Sequence, residues 1–348
     1  MAQATPVITG QSSTQSGTAG HRPQHPHYRA ILSLVFVVLI LSSFGPAAKF
    51  VLNHSDITPF ELACSRVLIG LAFLCMTVCV YDRPSLVLLA PREIGLLSLL
   101  GLLCVGIPYA LSAWGLQHTT VINYVLIYSL VPSFTALFSY FLGKERLTTP
   151  KLTGIFLSLV GCVVAVSEGF ARFSGMSFGF DFGEGLIALF ALMMSASIVA
   201  RAKIVMRYGA MTVNTVMFGS SFVFLFIGNL IHEPPPREPI SYLTALILLY
   251  IGITTAGVFL LRFFALRSLS PSTVGAFHNL VPVCTIFLAV VFLHEPLANH
   301  TIVGTLAILA GVELVRRNAW IWKRKTAQPS MGGWKKQDAP PLPRIARM

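Results

Sequence analysis

Charge is scarce in this chain. Only 11% of its 348 residues are Asp, Glu, Lys or Arg, and just 13 are acidic, against about 25% charged residues in an ordinary soluble domain. With 55% hydrophobic residues and a mean hydropathy of +0.74, that shortage excludes a water-soluble globular protein. Cysteine is also sparse. Cys64, Cys75, Cys79, Cys104, Cys162 and Cys284 all fall in apolar runs, with no metal-like spacing beyond the loose Cys75/Cys79 pair. They read as buried small hydrophobes, so neither a metal nor a disulfide is implied. The apolar runs hold no His/Glu metal cluster, no Gly-x-Ser-x-Gly and no paired acidic motif, which argues against a membrane-embedded enzyme and its cofactors. The net charge of +12 is spread over short loops and one tail rather than gathered on a folded domain, so nucleic acid is not an expected partner.

What the chain has in quantity is apolar runs. A transmembrane helix needs about 20 mainly apolar residues, and ten such runs lie at 31–50, 59–80, 94–114, 120–142, 151–167, 185–205, 211–231, 242–265, 271–293 and 301–316. The expected fold is an all-α integral membrane protein. Its parts are a disordered tail over 1–30, a five-helix unit over 31–167, a linker over 168–184, a second five-helix unit over 185–316 and a basic tail over 317–348.

The two units are copies. Shifted by 150 residues without a gap, Leu116–Val164 lies on Leu266–Leu314 with ten identities in 49 positions. Leu and Val matches are cheap in apolar sequence, so the weight falls on Pro132/Pro282, Thr135/Thr285, Glu145/Glu295, Gly154/Gly304 and Gly161/Gly311. A period near half the chain means two fused copies of one unit. Because five crossings are odd, the second copy must enter from the opposite side, giving an inverted repeat about an axis in the membrane plane. The glycine pairs, spaced by seven, share one helix face and predict close contact between helices five and ten.

The positive-inside rule orients the bundle. With the N-terminus cytoplasmic, 21 of the 25 Lys and Arg fall on the cytoplasmic side, only Arg172 and Arg237 fall outside, and Lys49 and Arg66 lie within spans. Both termini are therefore expected in the cytoplasm, with the protein multi-pass in an inner or plasma membrane. Residues 1–28 are rich in Ser, Thr, Gln, Gly and Pro and lack a signal-peptide apolar core, so helix one reads as a retained anchor. Its histidines His21, His25 and His27 suit a solvated tail better than a metal site. The segment Arg317-Asn-Ala-Trp-Ile-Trp-Lys-Arg-Lys325 pairs tryptophan with cations, as interfacial anchors do.

Candidate site residues follow from charge and helix breaks inside the spans. An Arg deep in the bilayer costs at least about 2.5–3.5 kcal/mol unless paired or hydrated, so Arg66 should face the interior; Glu61, five residues away, is poorly placed to pair with it. Lys49 is either a snorkelling cation or a cavity charge. Pro46, Pro108, Pro132 and Pro282 should break or kink helices one, three, four and nine. Pro132 frees the Tyr128 carbonyl, and unpaired mid-membrane carbonyls can hold a ligand or ion. Tyr109, Trp114, Asn123, Tyr128, His278 and Asn279 complete the substrate-binding set, although belt or packing roles compete for the aromatics. Glu61, His278 and Glu313 are the candidates for proton coupling; a packing histidine competes at His278. Glu145 and Glu295 read as structural residues of the turns that follow helices four and nine.

These features in order resemble the EamA type of the drug/metabolite transporter superfamily over residues 31–316. The resemblance rests on Phe44–Lys49, Cys64-Ser-Arg-Val-Leu-Ile-Gly70, Leu130-Val-Pro-Ser-Phe-Thr-Ala136 with Gly143-Lys-Glu-Arg-Leu147, Arg207-Tyr-Gly209, Leu280-Val-Pro282 and His294-Glu-Pro-Leu297. Many relatives have Trp-Gly before Phe44, where this chain has Ser42-Ser43. The resemblance implies an inner-membrane carrier built around a central cavity. The expected function is alternating-access export of a small anionic or zwitterionic metabolite, amino-acid-like, or of a drug. The alternatives are an uptake carrier, a channel, and a receptor or scaffold that no longer transports. Expected partners are the substrate and the lipid bilayer, with proton coupling and a homodimer as options.

Overall fold

The computed structural model describes residues 25–81, 91–143, 147–166, 181–231, 239–268, 274 and 277–326, and among these there is no strand. The helices are α1 (His25–His54), α2 (Pro59–Tyr81), α3 (Pro91–His118), α4 (Val121–Phe141), α5 (Thr149–Val166), α6 (Phe182–Tyr208), α7 (Ala210–Ile231), α8 (Tyr242–Ser268), α9 (Leu280–Leu293) and α10 (Asn299–Thr326). Among the described residues these helices lie on the ten expected apolar runs, and α1 to α7 are long and apolar enough to cross a membrane, with shorter apolar stretches at Tyr242–Val258 and Leu280–Leu293. At both ends of the bundle the helices outrun the apolar runs, since α1 starts six residues before 31 and α10 continues ten residues past 316. The Lys144-Glu145-Arg146 turn, residues 168–180 of the linker, His21 and the end of the basic tail lie outside the described residues.

Helix starts follow local chemistry. At α2, Thr58 and Glu61 cap reciprocally: the Thr58 amide donates to Glu61 Oε2 at 2.9 Å and the Glu61 amide to Thr58 Oγ1 at 3.3 Å, with Pro59 in the first turn, where its missing N–H costs nothing. α6 begins in the same way with Asp181 and Glu184.

The prolines act unequally. Pro108 cannot donate to the Cys104 carbonyl, and the preceding turn of α3, Leu102–Gly106, widens into a π-helix whose last bond runs from the Ile107 amide to the Leu102 carbonyl. Pro132 divides α4 at Ser129–Leu130, where the Leu130 amide turns back to Ile127 at 3.1 Å. Before Pro282, Asn279 is a turn residue. Pro46 corrects the expectation for helix one: α1 runs through it unbroken. A proline removes a single ladder bond, and here Gly45 packs so tightly on Val121 that an added Cβ would lie 2.9 Å from its Cγ1.

The repeats pack with two-fold logic. α1 lies on α8 and α9 while α6 lies on α3 and α4; α2 lies on α7; and α2 meets α8 as α7 meets α3. Exchanging α1–α5 with α6–α10 maps this set onto itself. α5 and α10 form the largest contact in the bundle, and their glycines show its direction. A Cβ on Gly154 would lie 2.7 Å from the Gly311 carbonyl oxygen and one on Gly161 2.8 Å from that of Gly304. Since Gly154 corresponds to Gly304 and Gly161 to Gly311, the two helices run antiparallel, as inversion requires. At the far end of α3, Glu93 holds both Arg207 Nη1, at 3.2 Å, and the Tyr208 hydroxyl from the end of α6.

A side chain at either crossing must separate the seam. Gly311→Val is expected to destabilise the detergent-solubilised protein by about 1–3 kcal/mol or more, the usual cost of overpacking, read as a lower melting temperature. Gly219→Val, where an added Cβ meets nothing within 4 Å, should leave the melting temperature close to wild type.

Candidate functional site

Arg66 sits in α2 with its guanidinium carbon 3.9 Å from the Phe44 ring centroid and 4.1 Å from that of Tyr109. Nε donates to Thr255 Oγ1 at 2.9 Å, and Thr255 passes its own proton to the Ile251 carbonyl at 2.7 Å. Two aromatic faces stabilise the cation by charge–quadrupole attraction and fix its plane. No carboxylate among the described residues forms an ion pair with it. Glu61 is occupied with the α2 cap. The guanidinium borders a small pocket, with Phe44, Leu62, Tyr109, Ser112 and Leu116 among its walls.

A second, small pocket lies at the two proline breaks. Its walls include Tyr128, Ser129 and Pro132 from α4 and His278, Asn279 and Pro282 from the second copy. These are three repeat-equivalent pairs. A cavity lined by residues and their own images lies on the pseudo-two-fold axis, midway through the bundle. Val131 and Val281, another equivalent pair, are each held by a hydroxyl from the opposite repeat: Ser195 of α6 donates to the Val131 carbonyl at 3.1 Å and Ser42 of α1 to the Val281 carbonyl at 3.2 Å.

Aromatic rings join the two cavities. Phe44 meets Tyr124 at 6.3 Å, Tyr124 lies parallel to Tyr128 at 6.3 Å, and Phe190 stacks on both, at 6.1 and 5.5 Å. Tyr124 is 7% exposed.

Other candidate residues are engaged elsewhere. Lys49 Nζ donates to the carbonyls of Leu116, Gln117 and Thr119 at 2.7, 3.1 and 2.9 Å, closing the C-terminus of α3, where a cation complements the helix dipole. Asn123 Nδ2 donates to Glu184 Oε1 at 2.7 Å. Trp114 lies outside both cavities, edge-on to Phe60 at 5.7 Å and 38% exposed on the outside of the bundle. Glu313 accepts from Asn279 Nδ2 at 3.1 Å, from Arg316 Nε and Nη2 at 2.7 and 2.5 Å, and from Arg317 Nε at 2.7 Å. Glu295 has a structural role but in another place than its own turn. Its two oxygens accept the Val121 and Ile122 amides at 2.7 and 3.0 Å, capping α4 of the other repeat.

The sequence profile of the EamA-like transporter family matches residues 28–167 and 181–317. The chain belongs to the EamA-like transporter family. It is similar to an uncharacterized transporter of Archaeoglobus fulgidus, 28% identical over 81% of this chain and 97% of that protein, and to the uncharacterized transporter YvbV of Bacillus subtilis, 26% identical over 84% and 93%. A protein of Streptantibioticus cattleyicolor named a probable terminal-alkyne amino-acid exporter is 23% identical over 86% and 98%. A crystal structure with 19% identity superposes with a TM-score of 0.60 over 87% of this chain and all of that one. This EamA-like protein is thus a multi-pass membrane transporter and not an enzyme.

Sequence reasoning missed Phe190, Thr255 and Glu184. Phe190 is one apolar residue among many, Thr255 one of a Thr-Thr pair, and Glu184 reads as an ordinary helix cap; no spacing rule marks any of them.

Removing the Lys49 ammonium strands three carbonyls. Lys49→Met is expected to cost about 1–3 kcal/mol, the range for buried polar groups left unpaired, measurable as a melting shift in detergent. An unchanged melt would show that these carbonyls find other donors.

Proposed function

We propose that the protein exports a small anionic or zwitterionic metabolite by alternating access, with Arg66 receiving the acidic group. One observation carries this reading: a guanidinium fixed between two rings inside the bundle, beside a cavity, with no carboxylate paired to it among the described residues. A membrane-embedded cation held in this way is incomplete until an anion joins it. The aromatic walls supply apolar contact for the rest of the ligand and lead to the axial cavity, where Tyr128, Ser129, His278 and Asn279 offer polar groups. An inverted repeat around such a cavity gives two mirror-image access routes, one for each side. The exporter name of the Streptantibioticus relative supports an amino-acid-like cargo, because an amino acid brings the carboxylate Arg66 would take.

The charge bias of the loops supports cytoplasmic termini, with the α3–α4 junction on the outer side of a plasma membrane. Proton coupling, if it runs through the residues the sequence singled out, falls to His278 on the axial cavity. Glu313 is held by two arginines and Glu61 by its cap.

The test compares metabolites released by cells producing wild type, Arg66→Ala and Arg66→Lys at equal membrane abundance. Arg66→Ala should lower export of the enriched metabolite about tenfold or more, corresponding to at least about 1.4 kcal/mol of lost recognition. Arg66→Lys should restore part of it, since the charge returns without the planar fork. Full export by Arg66→Ala removes this residue from the path.

A further inference from the structure

The α3–α4 junction is where the two repeats are tied together at one end of the bundle, and one of its ties is a carboxylate with no role in the reading above. Glu184, 6% exposed in the first turn of α6, takes the Asn123 Nδ2 hydrogen at 2.7 Å and reaches the Thr119 hydroxyl at 3.5 Å, both from the first repeat. Its other oxygen takes the Asp181 amide at 3.2 Å. The titratable and charged groups around it are Asp181 on its own cap, Cys162 from α5, His118 at the end of α3, Lys49 on the Thr119 carbonyl and Glu295 on the α4 amides. None of the cations among them pairs with Glu184.

We infer that Glu184 is a coupling carboxylate, whose protonation releases the α3–α4 junction and opens this end of the transporter. The inference rests on the alternating-access reading and deepens it. Asn123 Nδ2 and the Asp181 amide can only donate, and the first-turn amides of α6 suit a negative charge, so the ionised carboxylate holds the junction shut. A proton on Oε1, the oxygen that faces Asn123 and Thr119, sets a donor against the Asn123 Nδ2 donor and weakens the cross-repeat bond, while Oε2 still takes the Asp181 amide. The junction is then left to Glu295, on the adjoining amides. One O–H bond forms on opening and breaks on closing, with the proton exchanged with water; no other bond changes.

Glu184→Gln separates this role from helix capping, because glutamine serves equally at the third position of a capping box. Hydrogen–deuterium exchange of the peptide spanning residues 116–124 would be followed in the otherwise native protein in nanodiscs at acid and neutral pH, corrected for intrinsic exchange. The wild type should lose protection several-fold on acidification. Glu184→Gln should show low, pH-independent protection, and Glu184→Asp should regain the pH dependence. Wild-type protection that ignores pH, or Glu184→Gln that titrates as wild type does, overturns the inference. Because no substrate enters this experiment, its outcome stands apart from that of the Arg66 export test.

Discussion

Along α5 and α10 two backbones approach so closely that no side chain fits at Gly154, Gly161, Gly304 or Gly311. In hydrocarbon there is little hydrophobic drive between helices, and close packing of small residues takes its place. The pairing of Gly154 with Gly311 and of Gly161 with Gly304 forces these helices antiparallel and relates the repeats by inversion. From that constraint the axis follows, and with it the cavity at which Tyr128 meets His278, Ser129 meets Asn279 and Pro132 meets Pro282. The cavity is what the seam centres.

The two cations within the spans of the first repeat look alike in sequence and differ in their surroundings. Lys49 reaches three carbonyls at the end of α3 and has its charge complemented by a helix dipole and a nearby Glu295. Arg66 has one neutral hydroxyl and two ring faces. An ammonium surrounded by carbonyls is a fastener. A guanidinium stacked beside a pocket, with no carboxylate paired to it among the described residues, is what carries the proposal that Arg66 receives an acidic group. Around the fastener, Glu295 and Glu184 of the second repeat bind the start of α4, so one short junction of the first repeat is held from both halves of the protein.

Much of this architecture was legible in the sequence, because it rests on patterns that repeat. Apolar runs mark the spans, a 150-residue shift marks the copies, and the seven-residue glycine spacing marks the seam. Pro132 and Pro282 were legible as breaks for the same reason. Pro46 was not, since whether a helix tolerates one missing bond depends on what packs around it, here Val121 against Gly45. The partners of Glu295 and Glu184 were equally hidden: both bonds cross more than 60 residues and join different repeats, and no local spacing encodes such a contact. The aromatic path through Phe190 escaped because one phenylalanine among 25 carries no mark of its neighbours.

The central claim is that the site recognises a negative charge at Arg66, and it can be measured without knowing the cargo. Purified wild-type protein would be melted in the presence of matched metabolite pairs, each a free carboxylate and its neutral amide. The account predicts that one or more carboxylates raise the melting temperature while their amides do not. Equal stabilisation by both members of every responding pair, or a preference for the amides, would contradict it.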